Sequence, residues 1–182
     1  MTQVKSKLNR IFPLLLTALV AVLIGYFLPH RSPIIKEEPT LYRVVEVIDG
    51  DTIKVDLGGE LETVRLIGID TPEIANPYNP KEDRFGPEAA RYAKQLLEKQ
   101  SVYLIKDPMQ SNRDKYERLL RYVFLEDGTL INAELVKEGY AFNYIYEPFQ
   151  FMKQFDYLEK QAKENRMGLW SDECNYYFEI KE

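Results

Sequence analysis

The chain has 182 residues, 45% of them hydrophobic, with 24 Lys+Arg against 29 Asp+Glu, one His and one Cys. That length fits one globular domain with something added. The single histidine, His30, lies in an apolar and basic N-terminal stretch, and the single cysteine is Cys174; a histidine base, a Ser-His-Asp triad, an internal disulfide and a Cys/His zinc centre are therefore excluded from the folded part.

Residues 1–10 form a short basic segment containing Lys5, Lys7 and Arg10. Residues 11–28 (IFPLLLTALVAVLIGYFL) are apolar or nearly so throughout. As a helix they would extend about 27 Å, close to the hydrocarbon thickness of a bilayer. The basic residues ahead of them point to a cytoplasmic N-terminus with the domain outside, anchored in the membrane. A secretory signal has the same marks, and secretion after cleavage is the alternative; the lack of two small residues two apart near the end of the run favours an uncleaved anchor. Residues 29–39, with Pro29, Pro33 and Pro39, read as an extended tether, and residues 40–182 as the domain. Setting residues 1–36 aside removes five basic side chains and no acidic one, which leaves a net charge of −10. A domain that acidic has no general basic surface for nucleic acid, so any phosphate recognition must be local.

Within the domain, residues 41–48 and 52–57 are β-branched with partial alternation, and Asp49-Gly50-Asp51 between them predicts a hairpin turn. Gly58-Gly59 marks a second turn before a third strand over 61–69, which Pro72 ends. A loop over 74–86 leads to a helix over about 87–99, opened by Pro87, with Ala90, Ala93 and Leu97 on one side. Strands over 102–106 and 119–125 follow, separated by a polar loop. Residues 130–138 predict a helix with Gly139 as its stop, and the last helix covers about 149–166, with Gly168 beyond it and Trp170 closing it. The fold class expected is α+β, mainly β: five short antiparallel strands in a Greek-key barrel of the OB type, with about three helices.

Asp51, Arg65, Asp70-Thr71-Pro72-Glu73 and Arg118 fall at the ends of these strands. Each alone has a plain explanation, as a turn residue or a strand-face ion pair. Together they imply more. If the meander pairs as read, Asp51 and Asp70 approach each other, and a cation between them offsets their repulsion. Carboxylates with a backbone carbonyl suit a hard, oxygen-seeking ion such as Ca²⁺.

The blocks VIDGDT (47–52), VRLIGIDTPE (64–73) and DKYER (114–118) resemble the signature of the staphylococcal nuclease (thermonuclease) family. FGPEA (85–89), the 130–139 helix, YIYEP (144–148) and GLWS (168–171) support the likeness, which runs in order from about Leu41 to Asp172. The resemblance implies an OB-fold barrel and Ca²⁺-dependent hydrolysis of DNA and RNA to products bearing 3′-phosphates, by a monomer. Asp51 and Asp70 would hold Ca²⁺ by side chain and Thr71 by its carbonyl. Glu73 would orient or deprotonate water, a task that needs no histidine. Arg65 and Arg118 would grip the phosphate and stabilise transition-state charge. Lys115, Tyr116, Tyr144 and Tyr146 match nucleotide-contacting positions, where stacking on tyrosine tolerates any base. Tyr144 and Tyr146 also alternate as strand residues do, so barrel packing is the competing reading. Cys174 reads as an incidental thiol.

Two features depart from the family pattern. Glu117 stands where a small, glycine-like residue is common, which implies an altered loop and lowered activity. The −10 balance implies weak, salt-sensitive attraction of polyanions. The alternatives to a nuclease are a noncatalytic OB module that binds nucleic acid or a protein, and an inert domain with a structural Ca²⁺ site.

Overall fold

A computed structural model describes residues 40–75, 83–172 and 174 of the chain. The basic segment 1–10, the apolar run 11–28 and the tether 29–39 lie outside the described residues. Among the described residues, no helix is long and apolar enough to cross a membrane.

Five strands close into a barrel: β1 (Leu41–Val47), β2 (Thr52–Asp56), β3 (Leu61–Leu66), β5 (Ser101–Ile105) and β6 (Leu119–Leu125), in the order β1-β2-β3-β6-β5. A separate two-stranded ladder joins β4 (Ile69–Asp70) to β7 (Phe142–Asn143). Helices α1 (Gly86–Leu97), α2 (Ile131–Lys137) and α3 (Met152–Glu164) complete the described elements with a 3₁₀ turn over Gly168–Trp170. The alternation read from the sequence is physical: Ile53, Val55, Val64, Leu66, Val102 and Val123 are buried in the core, and a period of two puts such residues on one face of a strand.

Three expectations need correction. The barrel is not all antiparallel, because β3 and β6 pair in parallel, with Val64 opposite Leu119 and Arg65 opposite Leu120. The third strand does not run through to Ile69 but stops at Leu66. Gly68, at φ +77°, turns the chain there, and a Cβ at that position would sit 2.5 Å from the Phe149 ring, a space only glycine leaves open. The inward side of α1 is Ala89, Ala93 and Leu97 rather than Ala90, Ala93 and Leu97; spacing by four keeps side chains on one helical face.

Buried polar groups link these parts. Asn132, fully buried on α2, donates through Nδ2 to the Ile67 carbonyl at 2.9 Å and accepts from the Val123 amide through Oδ1 at 2.9 Å. One side chain thereby ties α2 to the end of β3 and to β6. Trp170 packs edge-on to Phe142 with ring centroids 5.4 Å apart, which closes the end of α3 over β7 as the sequence suggested.

Candidate active site

The barrel register brings the motif together. Thr52 at the start of β2 lies opposite Arg65 on β3, and the Leu66 amide donates to the Asp51 carbonyl at 2.8 Å. Arg65 in turn faces Leu120 across the parallel pair, two residues after Arg118. Asp51, Arg65 and Arg118, scattered over 68 positions of sequence, thus occupy one end of the barrel.

The guanidinium of Arg65 bridges the two aspartates. Its Nη1 is 2.6 Å from Asp51 Oδ2 and its Nη2 is 2.8 Å from Asp70 Oδ1. Burial alone would lower the pKa of Arg65, but the Asp51, Asp70, Asp49 and Glu73 carboxylates outweigh burial and raise it. Arg65 is permanently charged here. Thr71 has a role that the sequence did not reveal: its amide and hydroxyl both donate to Asp51 Oδ2, at 2.9 and 3.0 Å. Asp51 is buried and also accepts from the Thr52 hydroxyl at 3.0 Å, so its carboxylate is fixed by three hydrogen bonds from Thr52 and Thr71 and by the ion pair with Arg65.

The charge of this cluster is unbalanced. Burial and then the charge of Asp51 push the Asp49 carboxyl up to about 7. Asp70 is raised by burial and by Asp51 against the pull of Arg65, and Glu73 is raised by partial desolvation and by Asp51. Four carboxylates around one guanidinium carry an excess of negative charge in an all-oxygen set, which is what a hard divalent cation takes. Among the described residues, no three acidic, His or Cys side chains converge on one point. The expected set of two aspartates and one carbonyl demands only two side chains, and the residues present fit such an ion.

Glu73 is exposed, and its backbone is clamped from the far side of the loop. The Glu73 amide donates to Asp83 Oδ2 at 3.1 Å, and the Asp83 amide donates to the Glu73 carbonyl at 2.9 Å. Gly86 lets this happen: a Cβ there would lie 2.3 Å from the Glu73 carbonyl oxygen. That glycine, read from the sequence only as the last residue of the loop before Pro87, is in close contact with the backbone of the site.

Arg118 approaches from the loop before β6. Its Nε donates to Asp114 Oδ2 at 2.7 Å, and its Nη1 lies 3.5 Å from Thr52 Oγ1. Tyr116 lies beneath two cations, with its ring centroid 5.3 Å from Arg118 Cζ and 4.9 Å from Lys115 Nζ. Arg65, Asp70, Lys115, Tyr116, Arg118 and Tyr144 line one hollow of about 510 Å³. Asp51 stands behind Arg65, and Tyr146 is outside this wall, 82% exposed, with its ring 5.2 Å from that of Tyr144. The strand β7 stops at Asn143, so Tyr144 and Tyr146 are not barrel residues.

Glu117 occupies the left-handed region at φ 64°, a conformation natural to glycine and strained for a residue with a Cβ. The loop nevertheless delivers Arg118. Glu117→Gly is expected to stabilise the fold by about 1 kcal/mol, the strain relieved less the extra freedom of glycine in the unfolded chain. Urea melts of the two proteins check this, and a loss of stability would show that Glu117 is unstrained.

The model of the family described as staphylococcal nuclease homologue matches residues 63–172. The thermonuclease of Staphylococcus intermedius is 36% identical over 162 residues, covering 86% of this chain and 94% of that protein. The thermonuclease of Staphylococcus hyicus is 38% identical over 132 residues, 72% of this chain and 76% of the relative. Endonuclease YncB of Bacillus subtilis is 38% identical over 144 residues, 77% of this chain and 67% of the relative. With the family match covering more than half its length, and with the bridged aspartates and the second arginine at one end of a closed barrel, the chain belongs to the staphylococcal nuclease homologue family.

Proposed function

We propose that this nuclease hydrolyses phosphodiester bonds of DNA, RNA or both with Ca²⁺ as its metal, leaving 3′-phosphate ends. The observation that carries the reading is the Arg65 fork between Asp51 and Asp70, at 2.6 and 2.8 Å, beside a hollow that Arg118 also lines. Asp51, Asp70 and the Thr71 carbonyl would hold the ion. Bound there, Ca²⁺ supplies Lewis-acid polarisation of a phosphoryl oxygen. Arg65 and Arg118 present planar, permanently charged donors to the phosphate oxygens and to the charge that grows on them. Glu73, its carboxyl raised by partial desolvation and by Asp51, accepts the proton of the attacking water or orients it. Lys115 adds positive charge, while Tyr116 and Tyr144 offer apolar faces to sugar and base; Tyr146 extends that surface outward.

The test is hydrolysis of single-stranded DNA and of RNA by the full-length protein with Ca²⁺ or with EGTA, followed by end-group analysis. Cleavage that needs Ca²⁺ is expected, and Ca²⁺ at a hundredfold over its Kd stabilises the fold by about 2.7 kcal/mol, read as a higher Tm. Cleavage indifferent to EGTA would remove Ca²⁺ from the mechanism. The −10 balance of the domain favours the second reading, a noncatalytic module for nucleic acid or a protein; absence of cleavage together with an unmoved Tm would select it.

The address is part of the proposal. The 18 apolar positions 11–28 would hold a monomeric domain outside the cytoplasm, with secretion after cleavage as the alternative. Fractionation followed by N-terminal sequencing decides between them.

A further inference from the structure

We propose that Asp114 is a positioning residue that sets the reach of Arg118; this rests on the reading of Arg118 as a phosphate-clasping group. The carboxylate of Asp114 does two jobs at once. Its Oδ1 accepts from the amides of Tyr116 and Arg118, at 2.9 and 3.0 Å, and shapes the loop. Its Oδ2 takes the Nε–H of Arg118 at 2.7 Å.

A guanidinium has five N–H groups in a rigid fork. Engaging Nε fixes the plane of the fork and leaves the Nη end pointing away from the holder. That end faces the start of β2, where Nη1 lies 3.5 Å from the Thr52 hydroxyl and Thr52 is next to Asp51. Asp114 is well placed to persist in this role: its carboxyl is desolvated, yet the Arg118 side chain and the Arg118 and Tyr116 amides hold its pKa below the usual range. The Arg118 guanidinium also lies over the Tyr116 ring. Arg118 is thus aimed before substrate arrives, and an arginine that is already oriented loses little entropy on gripping a phosphate.

The loop has anchors that do not involve Asp114. Arg113 makes a bidentate pair with Glu62 at 2.9 and 2.7 Å, and its Nη1 donates to the Glu117 carbonyl at 2.5 Å. The buried Arg121 donates to the Asn112 side chain at 2.8 Å and to its carbonyl at 3.2 Å. A variant at Asp114 can therefore lose the aim of Arg118 while the loop stays seated.

Asp114→Asn makes that separation. Its Oδ1 still accepts the two amides, but an NH₂ group replaces the acceptor for Arg118 Nε. In the full-length protein with Ca²⁺, kcat on single-stranded DNA is expected to fall by about 10- to 100-fold with KM changed less than threefold, since small misplacements of a catalytic group cost about that much. In an Arg118→Ala background the same substitution is expected to change kcat by less than threefold, because there is no guanidinium left to aim. An unchanged kcat in the Asp114→Asn protein, or an equal fall in both backgrounds, overturns the proposal. If Asp114→Asn melts below the assay temperature, Asp114→Ser retains a short acceptor for the loop amides without reaching Arg118, and the same two backgrounds decide. An Arg118→Ala protein as active as the parent would overturn the functional reading itself, whereas loss in Arg118→Ala with no change in Asp114→Asn overturns only the role of Asp114.

Discussion

Replacing Arg65 by lysine is expected to lower kcat by about 10²- to 10³-fold on single-stranded DNA, the loss typical of removing one preorganised donor to transition-state charge. The positive charge is conserved, so the loss comes from geometry. Arg65 reaches Asp51 with one nitrogen at 2.6 Å and Asp70 with another at 2.8 Å, and a single ammonium on a flexible stem cannot reproduce that planar span. Of the carboxylates it leaves, that of Asp51 is buried and cannot be rehydrated, while that of Asp70 is half-exposed. Two readings separate the catalytic loss from a structural one. The Tm in EGTA falls, because Asp51 or Asp70 loses its counter-charge. The Tm difference between variant and parent narrows in saturating Ca²⁺, which offsets the same charges, while kcat stays low. A variant with kcat within threefold of the parent would show that Arg65 organises acids and takes no part in the reaction.

Asp107→Ala is expected to destabilise the fold by roughly 3–5 kcal/mol at neutral pH. Asp107 is buried and satisfies three donors: the Met109 amide at 2.6 Å, the Gln150 amide at 2.7 Å, and the hydroxyl of Tyr122 through a very short bond. Truncation leaves all three without their acceptor, the buried Tyr122 hydroxyl most of all. The effect has a signed pH dependence. Burial pushes the Asp107 carboxyl up, but the Gln150 amide, the Tyr122 hydroxyl and the Met109 amide outweigh it and hold the pKa below the ordinary value. A depressed carboxylate contributes its stability fully above the unfolded pKa of about 3.9 and loses it as pH falls through the folded value. The gap between parent and variant should therefore be wide at pH 7 and shrink below about pH 4. Urea melts at pH 7 and pH 3 measure it; a gap below about 1 kcal/mol would show that Asp107 is incidental, and a wide gap equal at both pH values would show that its charge is not what stabilises the fold.

The positions of Asp51, Arg65, Asp70 and Thr71 were legible because the signature blocks sit at strand ends, where a turn residue and a strand-face arginine occur at fixed offsets. The strands were legible to within a residue or two, except where an apolar run hid a break. Leu66-Ile67-Gly68-Ile69 looks continuous by hydropathy, and only the left-handed Gly68 reveals the turn. The parallel union of β3 and β6 left no local mark, since pairing of distant strands is a property of topology rather than of any window of sequence. The contributions of Asp107, Asn132 and Asp83 were equally hidden. A buried aspartate in a loop has the same letter and the same neighbours as a solvated one, and only tertiary packing decides which it is. The amide and hydroxyl bonds of Thr71 to Asp51 reach across 20 positions of chain and depend on the same closure of the barrel.

The parallel seam has a consequence for how the enzyme comes into being. Val64 and Leu119, partners across it, are 55 positions apart in the chain, and such a distant pairing forms late because a long loop must first be closed. Arg65 and Arg118 lie immediately beside that closing step on either strand. Before β3 and β6 pair, Arg65 and Arg118 have no shared frame, so the site is completed only when this seam closes.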